Sequence, residues 1–71
     1  MDKARLKMAI ENAGYTQTSL AEELGYSKNT FNLKVNGKLG IKVDEANLIL
    51  EKLNIKDPLE KASIFLPDIS Q

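Results

Sequence analysis

Residues 17–37 read QTSLAEELGYSKNTFNLKVNG, and the fold turns on how this stretch is read. It predicts two short helices joined by a tight turn at Gly25. The first spans Gln17 to Leu24, because Leu20, Ala21 and Leu24 recur along one face at helical spacing. Thr16 stands before it with a hydroxyl that can accept from an unpaired first-turn amide. Gly25 occupies the point where a chain leaves a helix through a positive φ, which glycine adopts without steric cost. Ser27 offers a second N-cap, opening a helix from Lys28 to Asn36 that Asn36 and Gly37 close.

The spacing inside the unit adds a packing argument. With Gln17 as the first position, Ala21 is the fifth, and close approach of two crossing helices forbids a large side chain there. Gly25 is the ninth, in the turn. Leu20, Leu24 and Phe31, at the fourth, eighth and fifteenth, supply apolar faces between the helices. An ordinary helical hairpin needs no more than this. The polar residues on the outward side of the second helix are the additional feature. They stand where a helix–turn–helix presents its second helix to the major groove of DNA.

Outward from this unit, 71 residues make one small domain, near the lower limit for a chain that folds on its own core. Hydrophobic residues, 42% of the chain, suffice for one helical core. Residues 1–66 are expected to be the ordered helical part and 67–71 a frayed tail. Cysteine and histidine are absent, so neither a disulfide framework nor a Cys/His metal cluster is expected, and no cofactor. Apolar runs extend only a few residues, so no membrane span or secretory signal is expected and the cytoplasm is the expected compartment.

Net charge is zero, with 10 basic and 10 acidic residues, which argues mildly against nucleic acid as a partner. The distribution argues back. Between Leu24 and Val43 lie Lys28, Lys34, Lys38 and Lys42 and no acidic residue. Lys3, Arg5 and Lys7 form a second basic cluster, while acids gather at Glu22, Glu23, Asp44, Glu45 and in the last third. A merely solvated face is the plainer reading of such lysines; beside the helix pair, phosphate contact is the sharper one.

The remaining helices follow from stripes and caps. Asp2 to Ala13 predicts a first helix with Leu6, Ala9, Ile10 and Ala13 as its apolar stripe and Gly14 as its stop. Tyr15 reads as packing between helices; Tyr26, in the turn, stays open between packing and a phosphate contact. Ile41 and Val43 are expected to anchor the loop after Gly37. Asp44 is expected to cap a fourth helix, Glu45 to Leu53, with Val43 and Leu48 as a hydrophobic staple and Ala46, Ile49, Leu50 and Leu53 buried. Asn54 ends it and Ile55 tucks back. Asp57, Pro58 and Glu60 open a fifth helix, which Pro67 is expected to limit. No strand pattern or repeat is visible, so the fold class is all-α with five helices.

At this point the chain resembles the lambda-repressor and Cro superfamily of helix–turn–helix regulators, in particular the small phage Cro-type proteins. The likeness covers about residues 4 to 60 and is strongest over TQTSLAEELGYSKNTFNLKVNGK, followed by IKVDEANLILEKLNI. It implies a phosphate contact for Gln17, base-edge contacts for Lys28, Asn29 and Thr30, a groove-facing Asn32, and a phosphate held by Asn36. The chemistry of these side chains agrees. Lysine donates to guanine O6 and N7, and asparagine pairs bidentately with adenine. Thr30 can meet a thymine methyl or a phosphate, and Ser27 can cap and also donate to phosphate. Lys34 and Lys38 read as neutralisers of the DNA backbone. The eighteenth position, apolar in the family, is Lys34 here, and Val35, four residues after Phe31, is expected to take over its packing.

The expected function is therefore sequence-specific binding to a double-stranded DNA operator as a Cro-like repressor of phage or prophage origin, in a bacterial host cell. With no histidine, no cysteine and no phosphate-cradling glycine loop, neither catalysis nor a small-molecule substrate is expected. The rival reading is a modulator of the same fold that grips another repressor protein, which near-neutral charge and the apolar run Ile64, Phe65, Leu66, Ile69 would suit. That run can equally fold onto the chain's own core or form a homodimer interface.

Overall fold

The computed structural model describes residues 1–69, with side chains from Met1 to Phe65. The described residues form five helices and no strand: α1 Lys3–Asn12, α2 Gln17–Leu24, α3 Lys28–Val35, α4 Val43–Lys52 and α5 Pro58–Ile69.

Local chemistry opens most of these helices. Asp2 Oδ1 accepts from the Arg5 amide at 3.1 Å. Thr16 and Ser19 form a reciprocal capping box: Thr16 Oγ1 accepts from the Ser19 amide at 3.0 Å, and Ser19 Oγ from the Thr16 amide at 2.9 Å. Ser27 Oγ accepts from the Thr30 amide at 3.1 Å, and Asp57 Oδ1 from the Leu59 amide at 3.0 Å. Gly25, at φ 82°, reverses the chain out of α2, and the Tyr26 amide donates back to the Ala21 carbonyl at 2.9 Å.

Each helix then commits a face to one core. Leu6 and Ile10 of α1, Leu20 and Ala21 of α2, Phe31 and Val35 of α3, Ile49 and Leu50 of α4, and Ile64 of α5 are buried together with Leu53 and Ile55. Burying a large apolar side chain contributes about 1.5–3 kcal/mol, so this set supplies most of the driving force. Ala21 is buried at 1% exposure, and Val35 takes the packing expected of it. Asn54, at φ 59°, leads out of α4, and the Ile55 amide returns to the Leu50 carbonyl at 3.0 Å.

Several expectations need correction. Helix α4 starts at Val43, with Lys42 in the cap position instead of Asp44. A lysine side chain has no acceptor, so the cap is made from inside the helix: Glu45 Oε1 accepts from the Lys42 amide at 2.9 Å. Val43 is 73% exposed and Leu48 41%, so they form no staple over that cap, and Ile41 alone of the expected pair packs toward the core. Ala13 is exposed beyond the end of α1, and Ala46 is only half-buried. Pro67 does not stop α5, which runs to Ile69; a proline keeps a helical φ and forfeits one amide bond. Ile64 is core, at 2% exposure. The side chains of Leu66 and Ile69, and the end of the expected tail at Ser70 and Gln71, lie outside the described residues.

Candidate nucleic-acid interface

Helix α3 is buried on one side through Phe31 and Val35, which fixes what its other side displays. Lys28 and Asn29 are exposed in the first turn, Thr30 and Asn32 are half-buried, and Lys38 is exposed just beyond the helix. The Ser27 hydroxyl donates to Thr30 Oγ1 at 2.9 Å while accepting the Thr30 amide, so its proton is committed to the cap. The Thr30 hydroxyl keeps its own proton for an outward partner. Asn36 Nδ2 donates to the Asn32 carbonyl at 2.8 Å, which closes α3 and leaves the second N–H of that amide. Gln17, half-buried at the start of α2, holds its Oε1 buried with no hydrogen-bond partner. Gln17 and residues 27–38 thus come from the start of α2, from α3 and from the loop after it.

Lys34 departs from the expected set. It is 8% exposed, and its ammonium faces inward. Nζ donates to the Gly40 carbonyl at 3.0 Å and to Glu45 Oε1 at 3.2 Å, and lies 5.6 Å from the Tyr26 ring centroid. A cation taken out of water needs such partners. With its donors spent inside the molecule, Lys34 is a structural cation and not one of the outward lysines.

The same geometry settles Tyr26. Its hydroxyl donates to Glu45 Oε2 at 2.5 Å, and its ring stacks on Phe31 with centroids 5.9 Å apart and planes at 19°. Glu45 therefore gathers the Lys42 amide, the Tyr26 hydroxyl and the Lys34 ammonium. These donors, the Lys42 amide foremost, hold its carboxyl down at about 2. Reciprocally, the hydrogen bond to Glu45 pushes the Tyr26 phenol up to about 12. A second contact set involves Glu23: its hydrogen bond raises the Tyr15 phenol, and Lys52 reaches it at 3.7 Å, joining α4 to α2.

Two residues escaped the sequence reading. Glu45 carried a usable signal: a lysine at an apolar position requires a carboxylate, and the acid-free stretch after Leu24 ends at Asp44 and Glu45. Leu33 is 37% exposed one turn after Asn29, an apolar group on the displayed side of α3. An apolar side chain there suits a thymine methyl.

Away from α3, a groove of about 440 Å³ runs between the 37–43 loop, α4 and α5, with Leu39, Ile41, Val43, Leu50 and Phe65 among its walls. Among the described residues no helix is long and apolar enough to cross a membrane. None of their His, Cys, Asp and Glu side chains form a group of three that could hold a metal ion. Comparison with protein-family models, with curated proteins and with solved structures finds no match to this chain.

Proposed function

We propose that this chain is a sequence-specific DNA-binding transcriptional regulator, a Cro-like repressor of a phage or prophage acting in the bacterial cytoplasm. In this reading α2 and α3 are a helix–turn–helix and α3 lies in the major groove. The observation that carries it is the division of α3: Phe31 and Val35 are fully buried while Lys28 and Asn29 stand free at its first turn. A helix entering the groove presents that turn to base edges. Lys28 suits guanine, Asn29 adenine, and Thr30, Asn32 and Leu33 extend the contact along the groove. Gln17, the remaining Asn36 N–H and Lys38 suit phosphates; Ser27 supports by capping, and Lys34 by packing. Two copies on a palindrome would double these contacts.

The test is selection of duplexes from a random pool by the purified chain, followed by gel shift. A shared short sequence whose binding is lost in Asn29→Ala is the expected result. A pool that stays unenriched would sink the reading. The apolar groove favours a second reading, a modulator that binds another repressor protein. Co-sedimentation with a purified helix–turn–helix repressor, in the absence of DNA, separates the two.

A further inference from the structure

Residues 36–42 join α3 to α4 and include Gly37, at φ 76°, and Gly40. Such a loop should be mobile, yet it is tied along its length. At its start the Lys38 and Leu39 amides both donate to the Leu33 carbonyl, at 2.9 and 3.1 Å. In its middle the Gly40 carbonyl accepts from Lys34 Nζ at 3.0 Å. At its end the Lys42 amide donates to Glu45 Oε1 at 2.9 Å. The last two ties share one carboxylate, since Glu45 Oε1 also accepts from Lys34 Nζ at 3.2 Å, and Tyr26 steadies its other oxygen. What the loop carries outward is Lys38 and Lys42, both exposed.

We propose that Glu45 is a positioning residue: through Lys34 and the Lys42 amide it holds the α3–α4 loop so that Lys38 and Lys42 meet DNA phosphates already ordered. The inference rests on the DNA-binding reading and adds Lys42 to the phosphate contacts. The physical reason is entropic. A loop that orders only on binding gives up affinity, and a loop fixed beforehand keeps it. The internal ion pair thus serves the external one: Lys34 is spent inside the molecule so that two other lysines are fixed outside it.

Two measurements test this. The first is amide hydrogen exchange of residues 38–42 in the free chain, where Glu45→Ala should speed exchange in the loop and leave the core of α1 protected. The second is a double-mutant cycle on a duplex selected by the wild-type chain. Replacing Lys38 and Lys42 together by Ala should weaken binding about tenfold or more in the wild-type background. In Glu45→Ala the same pair should cost less than about threefold, while Asn29→Ala costs the same in both backgrounds. A general loss of stability would not produce coupling confined to the loop lysines. Should Glu45→Ala not fold, Glu45→Gln and Lys34→Met take its place. Unchanged loop exchange, or lysine costs equal in both backgrounds, overturns the proposal. If the wild-type chain selects no duplex, the DNA reading falls with the phosphate role, and exchange still reports whether the loop is clamped.

Discussion

Lys34 shows how one buried cation reorganises its surroundings. Removing a partner from a buried charge costs more than replacing the charge by an apolar group of similar size. Lys34→Met should therefore leave stability within about 1 kcal/mol of wild type, because Met fills the space that the lysine stem occupies. Glu45→Ala strands the ammonium and should lower Tm further than Lys34→Met does; the opposite order in thermal melts would show that the pair is dispensable. Titration gives a second check. The Glu45 carboxyl is lowered from 4.5 to about 2, so its contribution is present above pH 4.5 and is lost as pH falls toward 2. Glu45→Gln should flatten the acid limb of stability over that window. For Tyr26, raised from 10.0 to about 12, the contribution is present below pH 10 and lost as pH rises through 12; Tyr26→Phe should remove that alkaline step. The sequence marked Lys34 as out of place, but lysine is so commonly solvated that its type argued for the surface. The carboxylate that reverses this lies 11 positions away, across a loop that only the folded chain closes.

Helices α2 and α3 were the most legible part of the chain because caps, turn glycine and apolar faces are all local signals. Thr16, Gly25 and Ser27 each act where their chemistry placed them. The start of α4 was illegible for the converse reason: its cap comes from Glu45 reaching back to a residue that cannot cap by itself. Packing between α2 and α3 makes a stability prediction. Ala21 is 1% exposed, and Ala21→Leu should cost about 1–3 kcal/mol through overpacking. Unchanged thermal stability would mean that the two helices do not cross closely there. The displayed side of α3 makes a binding prediction. Asn29→Ala should reduce affinity for the selected duplex by about 1–3 kcal/mol and barely alter binding to random DNA. Lys38→Ala should weaken both alike and make the salt dependence shallower by about one unit of slope. If both variants behave alike across duplexes, α3 does not divide its side chains between bases and phosphates.

For the whole molecule, the balance of 10 cations against 10 anions conceals a segregation of charge along the chain. Lys28, Lys38 and Lys42 stand exposed on α3 and the loop after it, with no acid between Leu24 and Val43. The order of charges along the chain made this segregation visible, but not that Lys34 is subtracted from it by burial. Salt dependence measures what is left. A protein loses about 0.9 units of logarithmic slope for each phosphate it neutralises, so the two loop lysines, Lys38 and Lys42, predict a slope of about −1.8 for one copy on one site. Two copies clamped on a palindrome predict about −3.6. Fluorescence anisotropy between low and moderate salt, on a duplex with one half-site and on one with two, reads both values. A slope that doubles on the palindrome, with sedimentation showing one chain in the absence of DNA, would place dimer formation on the operator itself. Equal slopes on both duplexes would leave the chain a single-site binder. A slope near zero would mean that the exposed lysines touch no phosphate, and the segregated charge would then favour a protein partner over DNA.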